Sequence, residues 1–355
     1  MPNTLDLYTP QTLTHSINLI KPENLYLTKV LGKGRAITAP TESILFDVKR
    51  GRRDLAPMGH NGDPAVKVDY ANTKITKTST PPQIFLEDDI PASMVNALRQ
   101  AGQSPLIVGS GNEGGVLAAF NEYIADKQKN MLDAIYRRIE WMFSQIATTG
   151  QISYSDSSGR SFSVDFDVPD GNIFALSALW DANTNAGDPI VQFPQLQRSY
   201  AKQNGVNPTV FILGSAAADA FRNNSNVKSW LKSAGVQLLQ LNPGEKEDLV
   251  SPIANIPGVG TLVEYAATYA ADGTGVDTPY VPENKMIVTN PTFWERHYGA
   301  ISDFSLGENP ILMAERYSKI VNSRDGKNKT LYVESHPLPV LNQDTGVMVV
   351  QVCGD

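Results

Sequence analysis

Three groups of residues in this sequence have types and spacing that chemistry would require. Gly109-Ser110-Gly111-Asn112-Glu113-Gly114 fits G-x-G-x-x-G, follows the strand-like Leu106-Ile107-Val108 and opens a helix. In a dinucleotide-binding unit such glycines let the backbone approach a pyrophosphate at the helix N-terminus. That unit also needs a second strand ending in an acid roughly 20 residues later. Here the span stays helical, with Asp126 and Asp133 inside it, and no strand is expected before Gln151. The loop reads as a hinge before a helix. A nucleotide-binding enzyme using Gly109–Gly114 is the rival reading from another class.

The four histidines, His15, His60, His297 and His336, lie far apart, and none has a second ligand at metal-binding spacing. Cys353 is the single cysteine, so no intrachain disulfide forms, which fits a reducing compartment. It is a poor candidate nucleophile. No G-x-S-x-G elbow, phosphate-binding loop or H-E-x-x-H helix occurs. Trp294, Arg296, His297 and Tyr298 form an aromatic–basic group that reads as the rim of a core. Asn223-Asn224-Ser225 and Asn328-Lys329-Thr330 are glycosylation sequons, but the first residues lack the pattern of a secretory signal. The sequence thus points to no catalytic residue, cofactor or metal, and to no enzyme.

A third group is basic. Residues 36–85 read as strand material, with Ile44–Lys49 and Ala65–Tyr70 flanking a turn-rich tip that carries Lys49, Arg50, Arg52 and Arg53. Residues 36–80 hold seven Lys/Arg and five Asp/Glu, a local +2 in a chain of net −7. A projecting basic loop on an acidic body suits contact with a neighbouring copy, because complementary charge sets encounter and register. Lys49, Arg50, Arg52 and Arg53 are therefore candidate intersubunit contacts. A solvated loop is the plainer alternative. The overall acidity argues against a protein whose main task is to grip nucleic acid by its phosphates.

The elements that would position these groups follow from periodicity. The chain has 355 residues, 41% hydrophobic and 19% charged, which marks an ordinary folded protein of about two domains. No apolar run approaches the roughly 20 residues that span a bilayer. The longest signal runs from Val116 to Ala147. Leu117, Phe120, Ile124, Met131, Leu132, Ile135, Ile139, Met142, Phe143 and Ile146 recur in steps of three and four, and Gly150 follows as a stop. Glu122, Asp126, Lys127, Lys129, Arg137, Arg138 and Glu140 are assigned to the opposite, charged face. Such a helix is a rod of roughly 48 Å, a structural beam.

Around it the sequence predicts a short helical turn at Pro10–Leu19 and a helix start at Glu87–Pro91 running on through Ala92–Ala101. A hairpin follows at Gln151–Ser155 and Ser161–Asp167, then helices at Asn172–Ala182 and Pro189–Gln203. Thr209–Leu213 reads as a strand, and Ser215 as the cap of a helix to about Arg222, with another near Val227–Ala234. Strands are expected at Gly260–Tyr265, Met286–Thr289 and Leu331–His336. Val347–Cys353 is expected to pair as a hairpin with Leu338–Leu341. Helices and strands do not alternate regularly, so the fold class is α+β.

Three stretches then resemble a known family. They are Gln203-Asn204-Gly205-Val206-Asn207-Pro208-Thr209-Val210-Phe211-Ile212-Leu213-Gly214 with the helix after it, Tyr280-Val281-Pro282-Glu283-Asn284-Lys285-Met286-Ile287-Val288, and Val333–Leu341 followed by Val347–Val352. Together with the long helix and the hairpin, their order resembles the major capsid protein of tailed bacteriophages, in particular the lambda-type major capsid protein E family. The resemblance covers most of residues 25–355. It implies an HK97-like capsid fold: an N-terminal arm (1–35), an extended loop (36–85) lying over an adjacent subunit, a peripheral domain (86–185 and 296–355) carrying the spine helix at about 116–147, and an axial domain (186–295).

It further implies self-assembly into pentamers and hexamers of an icosahedral shell. The shell would enclose double-stranded DNA in the virion after assembly in the host cytoplasm. A scaffold, a portal, a protease and often a decoration protein would be the partners. Some relatives of the fold crosslink through a Lys–Asn bond; nothing local marks such a pair here. An encapsulin-like nanocompartment shell is the alternative of the same fold.

Overall fold

The computed structural model describes residues 8–23, 25–34, 36–49, 74–91, 113–155, 159–181, 187–234, 250–256, 259–270, 275–306, 308, 310–323 and 326–354, with 113–119 and 231–234 described by backbone alone. In chain order the elements begin with α1 (Pro10–Leu19), α2 (Tyr26–Val30), β1 (Ala36–Thr38), β2 (Ile44–Lys49), β3 (Lys74–Ser79), β4 (Ile84–Pro91) and α3 (Glu113–Thr149). There follow β5 (Gln151–Ser155), β6 (Ser161–Asp165), β7 (Ile173–Ala175), α4 (Pro189–Asn204), β8 (Val210–Leu213), α5 (Ser215–Asn223) and α6 (Ser225–Ala234). Next come β9 (Val250–Ile256), β10 (Gly260–Tyr265), β11 (Thr268–Ala270), β12 (Asp277–Pro279), β13 (Lys285–Thr289) and β14 (Trp294–Tyr298). The last are β15 (Ile301–Ser302), β16 (Ile311–Leu312), β17 (Tyr317–Asn322), β18 (Asn328–Ser335), β19 (Pro337–Leu341) and β20 (Val347–Gln351).

The 37 residues of α3 form a rod of about 56 Å, the long helix expected from the spacing. Phe120, Ile124, Met131, Leu132, Ile135, Ile139, Met142, Phe143 and Ile146 are all buried on its core face; the side chain of Leu117 is outside the described set. The helix stops at Gly150, which takes a left-handed φ of 75° while its N–H donates to the Ile146 carbonyl at 2.9 Å. A Cβ there would stand 2.7 Å from Val168, so only glycine fits both the turn and its neighbour. Gly205 ends α4 in the same conformation, as expected.

A six-stranded mixed sheet, ordered β7-β20-β13-β8-β10-β9, lies beside this rod. Its central strands alternate in destination. Ile212, Ile287, Val347 and Val349 join the cluster around α3. Phe211, Leu213, Met286, Val288, Met348 and Val350 join a second cluster with Phe193 and Tyr200 of α4 and Phe221 of α5. Both faces are covered, which is why these strands are continuous apolar runs in the sequence and do not alternate with polar residues. The remaining sheets are β17-β18-β4 and β1-β14-β19, with the pairs β2-β3, β5-β6, β11-β12 and β15-β16.

Four expectations are corrected. Residues Glu87–Pro91 are strand and not a helix start; Ala92–Ala101 lie outside the described residues. Acids followed by proline do favour a helix N-terminus. Here pairing with β18 from Ile84↔Ser335 to Pro91↔Asn328 prevails, and Ile90 is buried against the core. Asn172–Ala182 holds a 3-10 turn (Asp170–Asn172) and then β7, drawn into the large sheet by parallel pairing with β20.

β19 and β20 do not form a hairpin: β19 pairs with β14 and β20 with β13 and β7, in two different sheets. Pro337 and Pro339 deprive β19 of donors and confine it to a sheet edge. Finally, the cap of α5 is Gly214 and not Ser215.

Candidate functional site and assembly surfaces

Of the four basic candidates, Lys49 lies at the end of an antiparallel ribbon running from Ile44↔Ser79 to Lys49↔Lys74. Arg50, Arg52 and Arg53, with the predicted strand Ala65–Tyr70, lie outside the described residues. The ribbon's inner side is apolar, with Ile44, Phe46 and Val48 buried, whereas Leu45 on the outer side is exposed. The end of β2 is fastened to the turn after β19. Lys49 N–H donates to the Asn342 carbonyl at 2.8 Å, and Asp344 N–H donates to the Lys49 carbonyl at 3.1 Å. The last described residue of β2 is therefore held at a fixed point.

The stretches that carry the family resemblance meet in space. β8 and β20 flank β13 on either side. Gly214 N–H donates to the Lys285 carbonyl at 3.0 Å, and Ala217 N–H to the Glu283 carbonyl at 2.8 Å. A Cβ at Gly214 would stand 2.2 Å from the Pro282 carbonyl oxygen, so the turn from β8 into α5 needs a residue without one.

A polar group missed by the sequence reading ties the arm to the spine. Glu140, assigned above to the charged face of α3, is fully buried. Its Oε1 accepts from Leu27 N–H and from the Tyr265 hydroxyl, each at 2.7 Å. Its Oε2 accepts from Thr28 N–H at 2.7 Å and Thr28 Oγ1 at 2.6 Å. A carboxylate thus caps α2, which has no side-chain cap of its own.

Burial pushes the Glu140 carboxyl above its ordinary range, against the opposing pull of the Thr28, Tyr265 and Leu27 donors. Burial likewise raises Tyr265, with the neighbouring Glu140 charge adding to the effect. The available signal was a ladder of every fourth residue, Gln128, Leu132, Tyr136, Glu140, Ser144 and Thr148, all buried. Thr148 bonds back to the Ser144 carbonyl of its own helix, whereas other polar members reach other elements. Gln128 donates to Ser318 Oγ at 2.9 Å, and Ser144 donates to the Tyr280 carbonyl.

The other chemical candidates are dispersed. His297 Nε2 lies 2.8 Å from Glu295, and His336 bridges the Ala300 carbonyl and Glu334 at 2.9 and 3.0 Å. Among the described residues no group of three His, Cys, Asp or Glu could hold a metal ion. Trp294 and Tyr298 are buried in β14, the Trp294 Nε1–H donating inward to Thr289 Oγ1, so both belong to the core itself and not to the rim expected. Gly109–Asn112 lie outside the described residues, whereas Glu113 and Gly114 open α3. Cys353 is buried, its Sγ 3.7 Å from the Asn284 carbonyl. Among the described residues no helix is long and apolar enough to cross a membrane.

A long helix joined through Glu140 to α2, the ribbon β2–β3 with its inner side buried and a sheet covered on both faces make up a fold of the HK97-like capsid class. The chain matches the model of the family "Phage major capsid protein E" over residues 9–352, and it belongs to that family. It is similar in structure to a protein assigned as a prophage capsid protein from Escherichia coli CFT073, with a TM-score of 0.68 and 16% identity, covering 98% of this chain and 99% of that one. A phage-related protein from Bordetella bronchiseptica RB50 follows, with a TM-score of 0.53 and 12% identity, covering 98% and 97%. No curated protein sequence matches the chain. The protein is a major capsid protein, a structural component of a phage virion built on an HK97-like icosahedral shell.

Proposed function

We propose that this chain closes into pentamers and hexamers around packaged double-stranded DNA, catalyses no reaction, and assembles in the host cytoplasm. The observation that supports the reading is the ribbon β2–β3, whose first strand ends at Lys49, directly before Arg50, Arg52 and Arg53 in the sequence. Rings of five and six require heterologous contacts, and extended arms supply them without a large globular interface. The reading divides the chain into arm (1–35), extended loop (36–85), peripheral domain (86–185 and 296–355) and axial domain (186–295). Strands β7 and β20 share one sheet with β8, β9, β10 and β13, which would couple the two domains rigidly. A net charge of −7 keeps the subunit from condensing on the genome, so DNA is enclosed without sequence-specific binding. Scaffold, portal and decoration proteins are the expected partners.

The test is electron microscopy of the purified protein and of a variant with Arg50, Arg52 and Arg53 changed to Glu. Wild type should give icosahedral shells or ring-shaped capsomers, and the variant folded subunits with few shells. Wild-type protein without rings or shells would overturn the assembly reading. Equal shell yield from the variant would overturn the role of the loop.

A further inference from the structure

We propose that Lys77 and Asp167 are positioning residues for assembly. Together they fix how the ribbon β2–β3 is rolled against the end of the long helix, and so the direction in which the chain sets out from Lys49 and returns at Lys74. This rests on the reading of Arg50, Arg52 and Arg53 as intersubunit contacts and names what orients them.

The two strands of the ribbon are held by different means. β2 buries Ile44, Phe46 and Val48, and its last residue is bonded through the backbone to Asn342 and Asp344. On β3, Lys74 and Thr76 bond within the ribbon, both to Asp47. Among the described residues, Lys77 is the one β3 side chain with a polar contact outside the ribbon. Its Nζ donates to the Asp165 carbonyl at 2.5 Å and lies 2.9 Å from the Asp167 carboxylate. A ribbon pinned along β2 can still roll about that strand, and the Lys77 contact stops the roll.

Phe46 and Lys77 stand opposite one another in the ribbon, so they share a face. Phe46 meets Phe166, with ring centroids 5.7 Å apart, and Lys77 meets Asp167. Adjacent side chains of an extended chain point to opposite sides. Phe166 and Asp167 nevertheless meet one face of the ribbon, because Asp167 breaks the alternation. It takes a φ of 56°, the one left-handed non-glycine residue among those described, and its N–H donates to Asp165 Oδ1 at 2.9 Å. Aspartate tolerates this region at some cost. The same segment is tied to the end of α3: Phe166 N–H donates to the Gly150 carbonyl at 3.1 Å, and Val168 lies against Gly150.

Stability does not account for this arrangement. The Lys77 and Asp167 side chains are 22% and 37% exposed, and an ion pair so open to water contributes little to folding. The left-handed residue costs some of that back. A fixed angle does account for it. In a ring of heterologous contacts the same angle recurs at every interface, so an error in it changes the number of copies that close or leaves the ring open.

The test reads particle geometry by electron microscopy, beside the melting temperature of free subunits. Lys77→Met keeps the length of the side chain and removes its charge. Asp167→Asn removes the carboxylate and keeps a residue that tolerates the left-handed region. Each should melt close to wild type and shift the particles from the wild-type diameter to mixed diameters and unclosed forms. The double variant should resemble either single one, because both changes remove one contact. Lys77→Arg still reaches the carboxylate and should keep the wild-type diameter. Loss of all particles from Lys77→Met, with folded subunits and particles restored in Lys77→Arg, supports the proposal equally. Wild-type diameters in Lys77→Met and Asp167→Asn overturn it whatever the yield, since weaker packing alone lowers yield without changing the size of closed particles. Lys77→Arg behaving as Lys77→Met overturns it too, and so does a Lys77→Met chain that fails to fold, which would make the contact one of stability. These outcomes leave the loop contact standing. Unchanged yield on reversing Arg50, Arg52 and Arg53 removes that contact and this proposal with it.

Discussion

Glu140 and Thr28, 112 positions apart in sequence, share two hydrogen bonds inside the protein, from the Thr28 amide and hydroxyl to one carboxylate oxygen. Leu27 N–H and the Tyr265 hydroxyl occupy the other oxygen. One side chain of the spine thus holds an arm helix and a strand end of the large sheet.

Replacing Glu140 by Ala leaves four buried donors without an acceptor. The expected loss is about 3 kcal/mol of unfolding free energy, from the donors left without an acceptor. Urea denaturation of unassembled protein measures it. A loss below about 1 kcal/mol would show that water replaces the carboxylate.

The same group predicts a pH dependence. Its folded pKa is raised by burial, so the native state holds this proton more tightly than the unfolded chain does. Between the unfolded value and the raised folded value the native state binds more protons, and stability falls as pH rises through that window. Below the unfolded value this contribution is fully present. Thermal melts of wild type and Glu140→Gln across the acidic range should diverge, with the Gln variant lacking this part of the slope. Parallel profiles would refute the assignment.

Ile135 is 1% exposed on the core face of α3. Ile135→Asp should cost about 3–5 kcal/mol by burying a charge without a partner. A variant that melts like wild type would mean that this face is open to solvent.

Gly150→Ala forces a side chain into a left-handed φ and against Val168 at 2.7 Å. The expected cost is about 1–3 kcal/mol. Pairing it with Val168→Gly should recover part of the loss, because the nearest contact is the Val168 Cβ, which glycine lacks, while the backbone strain stays. A double variant no more stable than the single one would remove the clash from the account.

Much of the fold was legible because its elements obey local rules. Steps of three and four drew α3, Gly150 and Gly205 marked helix ends, and β5–β6 read as a hairpin. The errors occurred where long-range partners outweigh local chemistry. Acids before a proline imitate a helix start at Glu87–Pro91, although Ile84, Leu86 and Ile90 already alternate as in a strand. Nothing local says that β19 and β20 go to different sheets, beyond the two prolines that keep β19 at an edge. Glu140 was misplaced because a carboxylate on a long helix is ordinarily solvated; only its four-residue ladder of neighbours indicated a second buried row. The basic stretch is legible as charge in the sequence, and Arg50, Arg52 and Arg53 lie outside the described residues.

Strand β20 lies between β13 and β7, and both depend on it for one edge. The ribosome makes β20 after every other strand described here. At roughly 5–20 residues per second, Ile173 waits about 10–35 s for the partner at Val349 to be synthesised. Until then the apolar sheet is incomplete, and its bare edge needs shielding from other nascent chains. Synthesis itself thus times when a subunit becomes competent to join a shell, and a prematurely ended chain lacking β20 would be a substrate for proteases and not a defective building block.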